Sequence, residues 1–350
     1  MKALILASLL GVPALAAMPG IALAQEETFS CKAAPAPVVD LEYGSRYTDD
    51  SKTRSDIDAE SNAAVDEALK PVEKFINDLS KMANAAYLGK DQARVDCVTD
   101  WLFTWAEAGA LKDLKTVNVQ LSTPARFAGF ALALLQADAA GTPDPAKRET
   151  IVAWLKALGE PMTAFFDEEA PTNASRNNLR AWAGLAAAAI GVAAQDEKLV
   201  AWGEDSIEMI ICDADADGSL PLEMGRAERA LNYQLHAVAP LVVASDLLAG
   251  QGFDGYAVCE GKLRQIVEFS WKAAKDPSLV EAINGKQQTF AKGEQKLEPF
   301  MMAWAEPYLA HVEDPELDAF VAPLREMSHS KLGGNMTEMQ GWTATLSAPT

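Results

Sequence analysis

Apolar positions along most of this chain recur every three to four residues, the period of helices that bury one face. Val72, Phe75, Ile76, Leu79 and Met82 form one stripe, and Val98, Trp101, Leu102 and Trp105 form another. Ser122 and Thr123 ahead of Pro124 mark a helix start, with the proline where its missing N–H costs nothing. Further periodic runs predict helices at about 145–158, 176–194, 197–211, 223–249, 254–275, 297–310 and 315–327. No stretch alternates convincingly with a period of two, and no Asn-Gly hairpin signal lies between β-branched runs.

The expected fold is therefore all-α. The segments Ala183 to Ala194 and Ala237 to Ala249 are apolar nearly all round, as helices covered on every side must be. Inner helices sheathed by outer ones suggest an incomplete α/α toroid, a barrel of helical hairpins in a single domain, with a cleft at one end of the inner ring. No fixed-period repeat accompanies the pattern.

The N-terminus departs from it. Lys2, the apolar run Ala3 to Ala17, and Ala22-Leu23-Ala24 before Gln25 predict a signal peptide over residues 1–24. The mature chain, 25–350, is then exported and expected to be periplasmic. No later apolar run reaches the roughly 20 residues of a bilayer span, so no membrane insertion is expected. Residues 25–59 read as an extended arm with Pro35 and Pro37, ending in the polar run Tyr47 to Asp58. That run suits either a solvated loop or a mobile lid carrying Arg46, Tyr47, Lys52 and Arg54 over a cleft. Four cysteines in an exported chain allow disulfides. Cys31 with Cys97 is the preferred pair, since it would pin the arm to an early helix. The absence of a C-x-x-C spacing argues against zinc or redox chemistry.

Charge narrows the partners. Fifty acidic residues against thirty basic give a formal net charge of −20, the wrong sign for a nucleic-acid binder. Yet Arg176, Arg180, Arg226 and Arg229 gather in two segments, and a basic cleft can focus a field on an acidic protein. Arg226, Arg229 and Tyr233 stand at i, i+3 and i+7, one face of a regular helix. Such a face can hold a carboxylate in a planar guanidinium fork, with a phenol to move a proton. It serves equally as a surface stripe paired with Glu223 and Glu228. Asn177 and Asn178 follow Ser175 where helix caps are favoured, and capping accounts for one asparagine, not both. Asp213 to Gly218 opens like a calcium loop, but Pro221 and Met224 occupy later ligand positions, so an acidic turn is expected and no metal. Trp101, Trp105 and Trp182 read as core. Among His236, His311 and His329, none in a metal spacing, only His236 is a catalytic candidate, and it is expected to point away from Tyr233.

At these residues the chain resembles the alginate lyase family of periplasmic polysaccharide lyases. The family pattern Asn-Asn-His-x-Tyr-Trp-Ala is similar to Asn177-Asn178-Leu179-Arg180-Ala181-Trp182-Ala183. Asp-x-x-Gly-x-Leu-Pro-x-Glu followed by Arg-x-x-Arg-Ala-Leu-x-Tyr resembles Asp215 to Glu223 and Arg226 to Tyr233. Trp304 to Leu309 and Leu332-Gly333-Gly334 match family segments nearer the C-terminus. The resemblance implies a toroid with a lid, no cofactor, and β-elimination across the 4-linkage of an acidic polysaccharide. Asn178 and Arg226 would neutralise the C5 carboxylate, and Tyr233 would act as base and acid. Arg229, Asn177, Arg180, Lys52 and Arg46 would line neighbouring subsites. The family's histidine is replaced here by Leu179, its following tyrosine by Ala181, and a histidine beside the catalytic tyrosine by Gln234. In mannuronate and glucuronate the C5 hydrogen and C4 oxygen share a face, so one tyrosine can serve both; guluronate needs a second group. The expectation is a mannuronate- or glucuronate-type lyase. The alternative is a weakly active or non-catalytic polysaccharide-binding protein serving exopolysaccharide export or assembly.

Overall fold

The N-terminal arm is tied down along its whole described length. The computed structural model describes residues 29–343, and the expected signal peptide lies outside them. Cys31 is bonded to Cys97 with 5.5 Å between Cα atoms, as the sequence suggested. Trp101 and Trp105 donate their indole N–H groups to the carbonyls of Lys32 and Pro35, at 2.7 and 3.0 Å. A two-residue strand, β1 (Asp40–Leu41), then pairs in parallel with β2 (Asp113–Leu114). Because β1 is held at both ends, the lid segment that follows starts from a fixed point.

Helices α1 (Ala59–Gly89) and α2 (Gln92–Glu107) follow, then α3 (Val117–Ser122) and α4 (Pro124–Ala140). Asp58 and Asp91 accept amide N–H bonds at the starts of α1 and α2, satisfying donors that a helix end leaves orphaned. Phe75 of α1 stacks on Trp105 at 3.8 Å, and Phe130 of α4 meets both rings edge-on before stacking on Trp154 of α5 (Pro145–Glu168). Trp101 and Trp105 are thus core, as expected.

Helices α4, α6 (Asn178–Ala194) and α9 (Ala230–Ala249) are buried on nearly every face. They pack side by side as an inner row, and α2, α5, α7 (Glu197–Cys212) and α10 (Val258–Lys275) sheathe them outside. Small residues set this spacing: a Cβ on Gly203 of α7 would lie 2.9 Å from the amide nitrogen of Ala188. Cys212 and Cys259 join the end of α7 to the start of α10. The architecture is an open α/α toroid, and the described chain from Cys31 onward forms one compact unit. Among the described residues no helix is long and apolar enough to cross a membrane.

The C-terminal part is less regular than its periodicity predicts. Instead of one helix at 297–310 there is a 3₁₀ turn, Pro299–Met302, followed by α12 (Ala305–His311). Helix α11 (Ser278–Asn284) precedes them, and α13 (Pro315–Val321) is shorter than expected. A hairpin of β3 (Ser328–His329) and β4 (Gly334–Asn335) closes the ring against α1 and α4. The buried amides of Asn84 and Gln136 both donate to the carbonyl of Gly333 at 2.7 Å, which fixes that hairpin and with it His329.

Candidate active site

A cleft of about 680 Å³ opens at one end of the inner row. Helix starts from α6 and α9, the lid and the β3 hairpin converge there, so side chains distant in sequence meet.

The run Tyr47 to Asp58, expected as a solvated loop or a lid, is a small hairpin with a narrow neck that lines the cleft, and it is called the lid for that position. Tyr47 and Ile57 bridge, Asp58 N–H donates to the Arg46 carbonyl at 2.9 Å, and Thr48 N–H donates to the Asp56 carbonyl at 3.0 Å. Within its tip, the Ser51 hydroxyl accepts from the amides of Ser55 and Asp56. The tip is clasped to the body through its own carbonyls. Arg226 donates Nε to Thr53 O and Nη2 to Arg54 O, each at 2.8 Å, and Arg229 donates Nε to Ser55 O at 2.8 Å. Arg46 and Lys52 line the cleft, Arg46 also pairing with Asp66 and Asn62 at 2.6 Å.

The predicted helix at 223–249 is broken, and the break builds the site. A short helix, α8 (Pro221–Met224), stops at Gly225, and a 3₁₀ turn at Ala227–Arg229 leads into α9, with Ala227 at a φ of 48°. Two amides from the end of α11 and the loop after it hold it: Asn284 and Gln288 donate to the Ala227 carbonyl at 2.8 and 3.1 Å, and Gln288 Oε1 accepts from Leu231 N–H at 3.0 Å. Arg226 and Tyr233 therefore meet through the turn, not through helical register. The guanidinium carbon lies 3.5 Å from the centroid of the Tyr233 ring. Arg229 does not line the cleft and acts as a clasp instead.

Asn177 is the cap of α6, its side chain accepting from Leu179 N–H at 3.0 Å. Asn178 is fully buried against Glu223. Its backbone N–H and its Nδ2 donate to that carboxyl at 2.7 to 3.1 Å, while its Oδ1 is buried without a partner. Burial pushes the Glu223 carboxyl up to about 7, against the opposing pull of the Asn178 bonds and Arg226. Arg180 is a correction to the expected subsites. It points to the opposite side of α6, donating to Ser206 Oγ at 2.7 Å and Asp167 at 2.8 Å and stacking on Trp202 at 3.9 Å. The two residues from Asn178 to Arg180 turn the helix by about 200°, which carries Arg180 to the outer face.

His236 lines the cleft with Tyr233, contrary to the expectation that it points elsewhere; residues three apart on a helix share a face. Trp182 bridges to it, donating Nε1–H to His236 Nδ1 at 3.1 Å, and stacks on His329 at 5.5 Å between centroids. His329 comes from the β3 hairpin, and no spacing in the sequence links it to this place. Burial, with Lys331 nearby, holds both imidazoles down at about 3, Arg126 and Arg226 adding to this at His236, so they are neutral at physiological pH. The acidic turn is structural: Asp217 accepts from Ser219, and Gly218 has a φ of 88° with no room for a Cβ, which would lie 2.1 Å from the Gln265 carbonyl.

A toroid cleft lined by cations, with a phenol packed under a guanidinium, defines the class of polysaccharide lyases that act on acidic polymers. The alginate lyase family model matches residues 22–280, and the chain belongs to that family. It is 29% identical to a polysaccharide lyase of Stenotrophomonas maltophilia over 329 residues, covering 93% of this chain and 95% of the relative. An alginate lyase of Pseudomonas syringae pv. syringae is 26% identical over 321 residues, covering 90% and 84%. Among solved structures, alginate lyase A1-III complexed with a tetrasaccharide superposes with a TM-score of 0.77 at 24% identity, over 88% of this chain and 85% of that one. The same enzyme from Sphingomonas species A1 gives 0.72 at 23% identity, over 88% and 86%. These structures share the fold.

Proposed function

We propose that this family member, a polysaccharide lyase, cleaves a β-linked polymer of mannuronate or glucuronate type by syn β-elimination, in the periplasm. The observation that carries the reading is the charge of the cleft. On a chain of net charge −20, its lining holds Arg46, Lys52, Arg54 and Arg226 and, among the described residues, no carboxylate. Such a cleft draws a polyanion that the rest of the surface repels.

Arg226, with Asn178, neutralises the C5 carboxylate and makes the C5 proton acidic. The Tyr233 oxygen takes that proton, the C5–H electrons form the C4–C5 double bond, and the C4–O bond breaks. The same phenol returns the proton to the departing oxygen, which lies on the same face. Leu179 leaves no second proton carrier at the family position, which suits mannuronate or glucuronate and disfavours guluronate.

The test is the ultraviolet absorbance of the unsaturated uronate product, with mannuronate, guluronate and glucuronate polymers offered in turn. Tyr233→Phe is expected to lose at least ~10³-fold in kcat with an unchanged circular dichroism spectrum, in line with loss of a positioned acid–base group. Full turnover by that variant would exclude the mechanism.

A further inference from the structure

The cleft is cationic at its mouth and uncharged at its deep end. Lys52 and Arg54 at the lid tip are exposed, and Arg226 stands beside them. The deep end is built from Trp182, His236, His329 and Leu179, with the half-exposed Phe300 at its rim. Its rings are contiguous, with 5.2 Å between Trp182 and His236, 5.5 Å between Trp182 and His329, and 5.8 Å between His329 and Phe300. The cations behind it, Lys331 and Arg126, do not line the cleft; both are bonded to Glu73, Lys331 at 3.0 Å.

A 1,4-linked β-polyuronate is a flat ribbon in which each sugar is turned over relative to the last. Consecutive carboxylates therefore leave opposite edges. Laid in this cleft, a homopolymer would present one carboxylate to the cationic mouth and the next to the uncharged end, where desolvating an unpaired anion is costly. A neutral imidazole carries one donor and one acceptor nitrogen. His236 Nδ1 already accepts from Trp182, which leaves Nε2–H as a donor; His329 Nδ1 is buried without a partner, so that ring can offer a ligand only Nε2, as donor or acceptor according to its tautomer. Hydroxyl and acetamido groups can use both kinds of partner, and a carboxylate can only accept. When only every second sugar is a uronate, all carboxylates fall on one edge and neutral sugars meet the rings.

Resting on the lyase reading above, we propose that the substrate is a mixed polymer in which each uronate is flanked by a neutral sugar, and that Trp182, His236 and His329 form the subsite for that neutral sugar. The experiment compares three unsulfated chains of matched length: polymannuronate, polyglucuronate, and an alternating polymer of glucuronate and N-acetylhexosamine. The alternating polymer should be cleaved with at least tenfold higher kcat/KM than either homopolymer. His329→Lys, which puts a cation at the deep end, should narrow or reverse that preference, while His329→Gln should keep it. Equal or better cleavage of a homopolymer by the unaltered protein would overturn the proposal. If no chain yields absorbance, the lyase reading fails by itself and direct binding decides: tighter binding of the alternating polymer sustains the subsite, and equal or weaker binding removes it.

Discussion

Asn178 and Glu223 show how one buried pair can hold two states. With the Glu223 carboxyl ionised, Asn178 gives it both its backbone N–H and its Nδ2, and Oδ1 is left without a partner. A protonated Glu223 can instead donate to Oδ1, which turns the Asn178 NH₂ toward the cleft for a substrate carboxylate. The Glu223 carboxyl is raised from 4.5 to about 7 on folding. The unfolded chain therefore releases this proton first, and stability falls as pH rises from about 4.5 to about 7, then levels. Glu223→Gln removes the ionised form, so it should stabilise the fold at pH 8 by about 3 kcal/mol, with the gain vanishing near pH 4.5. Denaturant titrations across that range measure it, and a gain independent of pH would contradict the assignment. The sequence offered Glu223 as a surface partner for the arginines and as a motif position, and its bond to Asn178 arises only because the starts of α6 and α8 meet in the fold. His236 is different: its spacing from Tyr233 places the two on one face, and only the ring of His329 had no local sign.

At the scale of elements, the helices were legible and their interruptions were not. Periodicity located α1, α2, α4, α6 and α7 because each buries one stripe or its whole circumference. It ran straight through Gly225 to Arg229, because what breaks the helix there comes from elsewhere: Asn284 and Gln288 capture the Ala227 carbonyl and cap α9. Arg226 reaches Tyr233 only because of that break. Gln288→Ala should cost about 1–3 kcal/mol in stability by leaving the buried Leu231 N–H unsatisfied, while the Ala227 carbonyl keeps Asn284. It should also lower kcat/KM tenfold or more, because Arg226 loses its seat over the phenol; thermal unfolding and steady-state kinetics read the two effects separately. A variant that loses stability but keeps full kcat/KM would mean the break is scaffolding alone. Arg180 was misread for a related reason. A motif marks position along a helix, and the side to which a residue turns is settled by the partners waiting there, in this case Asp167, Ser206 and Trp202.

At the scale of the molecule, the toroid followed from helices too apolar to face water. The Cys31–Cys97 bond was readable because an arm with prolines needs an anchor, and it closes a span of 66 residues that contains the lid. Loop-closure entropy assigns such a bond about 4 kcal/mol. Replacing Cys31 and Cys97 by serine, with Cys212–Cys259 left intact, should therefore lower the thermal midpoint, and it should slow turnover more than the stability loss alone would, since β1 and the lid neck share the freed arm. Turnover unchanged in that variant would show that the lid keeps its place without the arm. Raising ionic strength should increase KM several-fold with little change in kcat, because the cationic mouth acts through exposed charges that salt screens. Salt-independent KM would indicate that the mouth does not hold the polymer by charge.

The clasp over the cleft grips main-chain oxygens of residues 53, 54 and 55, whatever side chains those residues carry. The device that shuts the lid is thereby separated from the chemistry the lid displays. Residues at the tip can be exchanged without unmaking closure, and a descendant of this protein could try new sugars by altering Lys52 or Arg54 while its gate went on working unchanged.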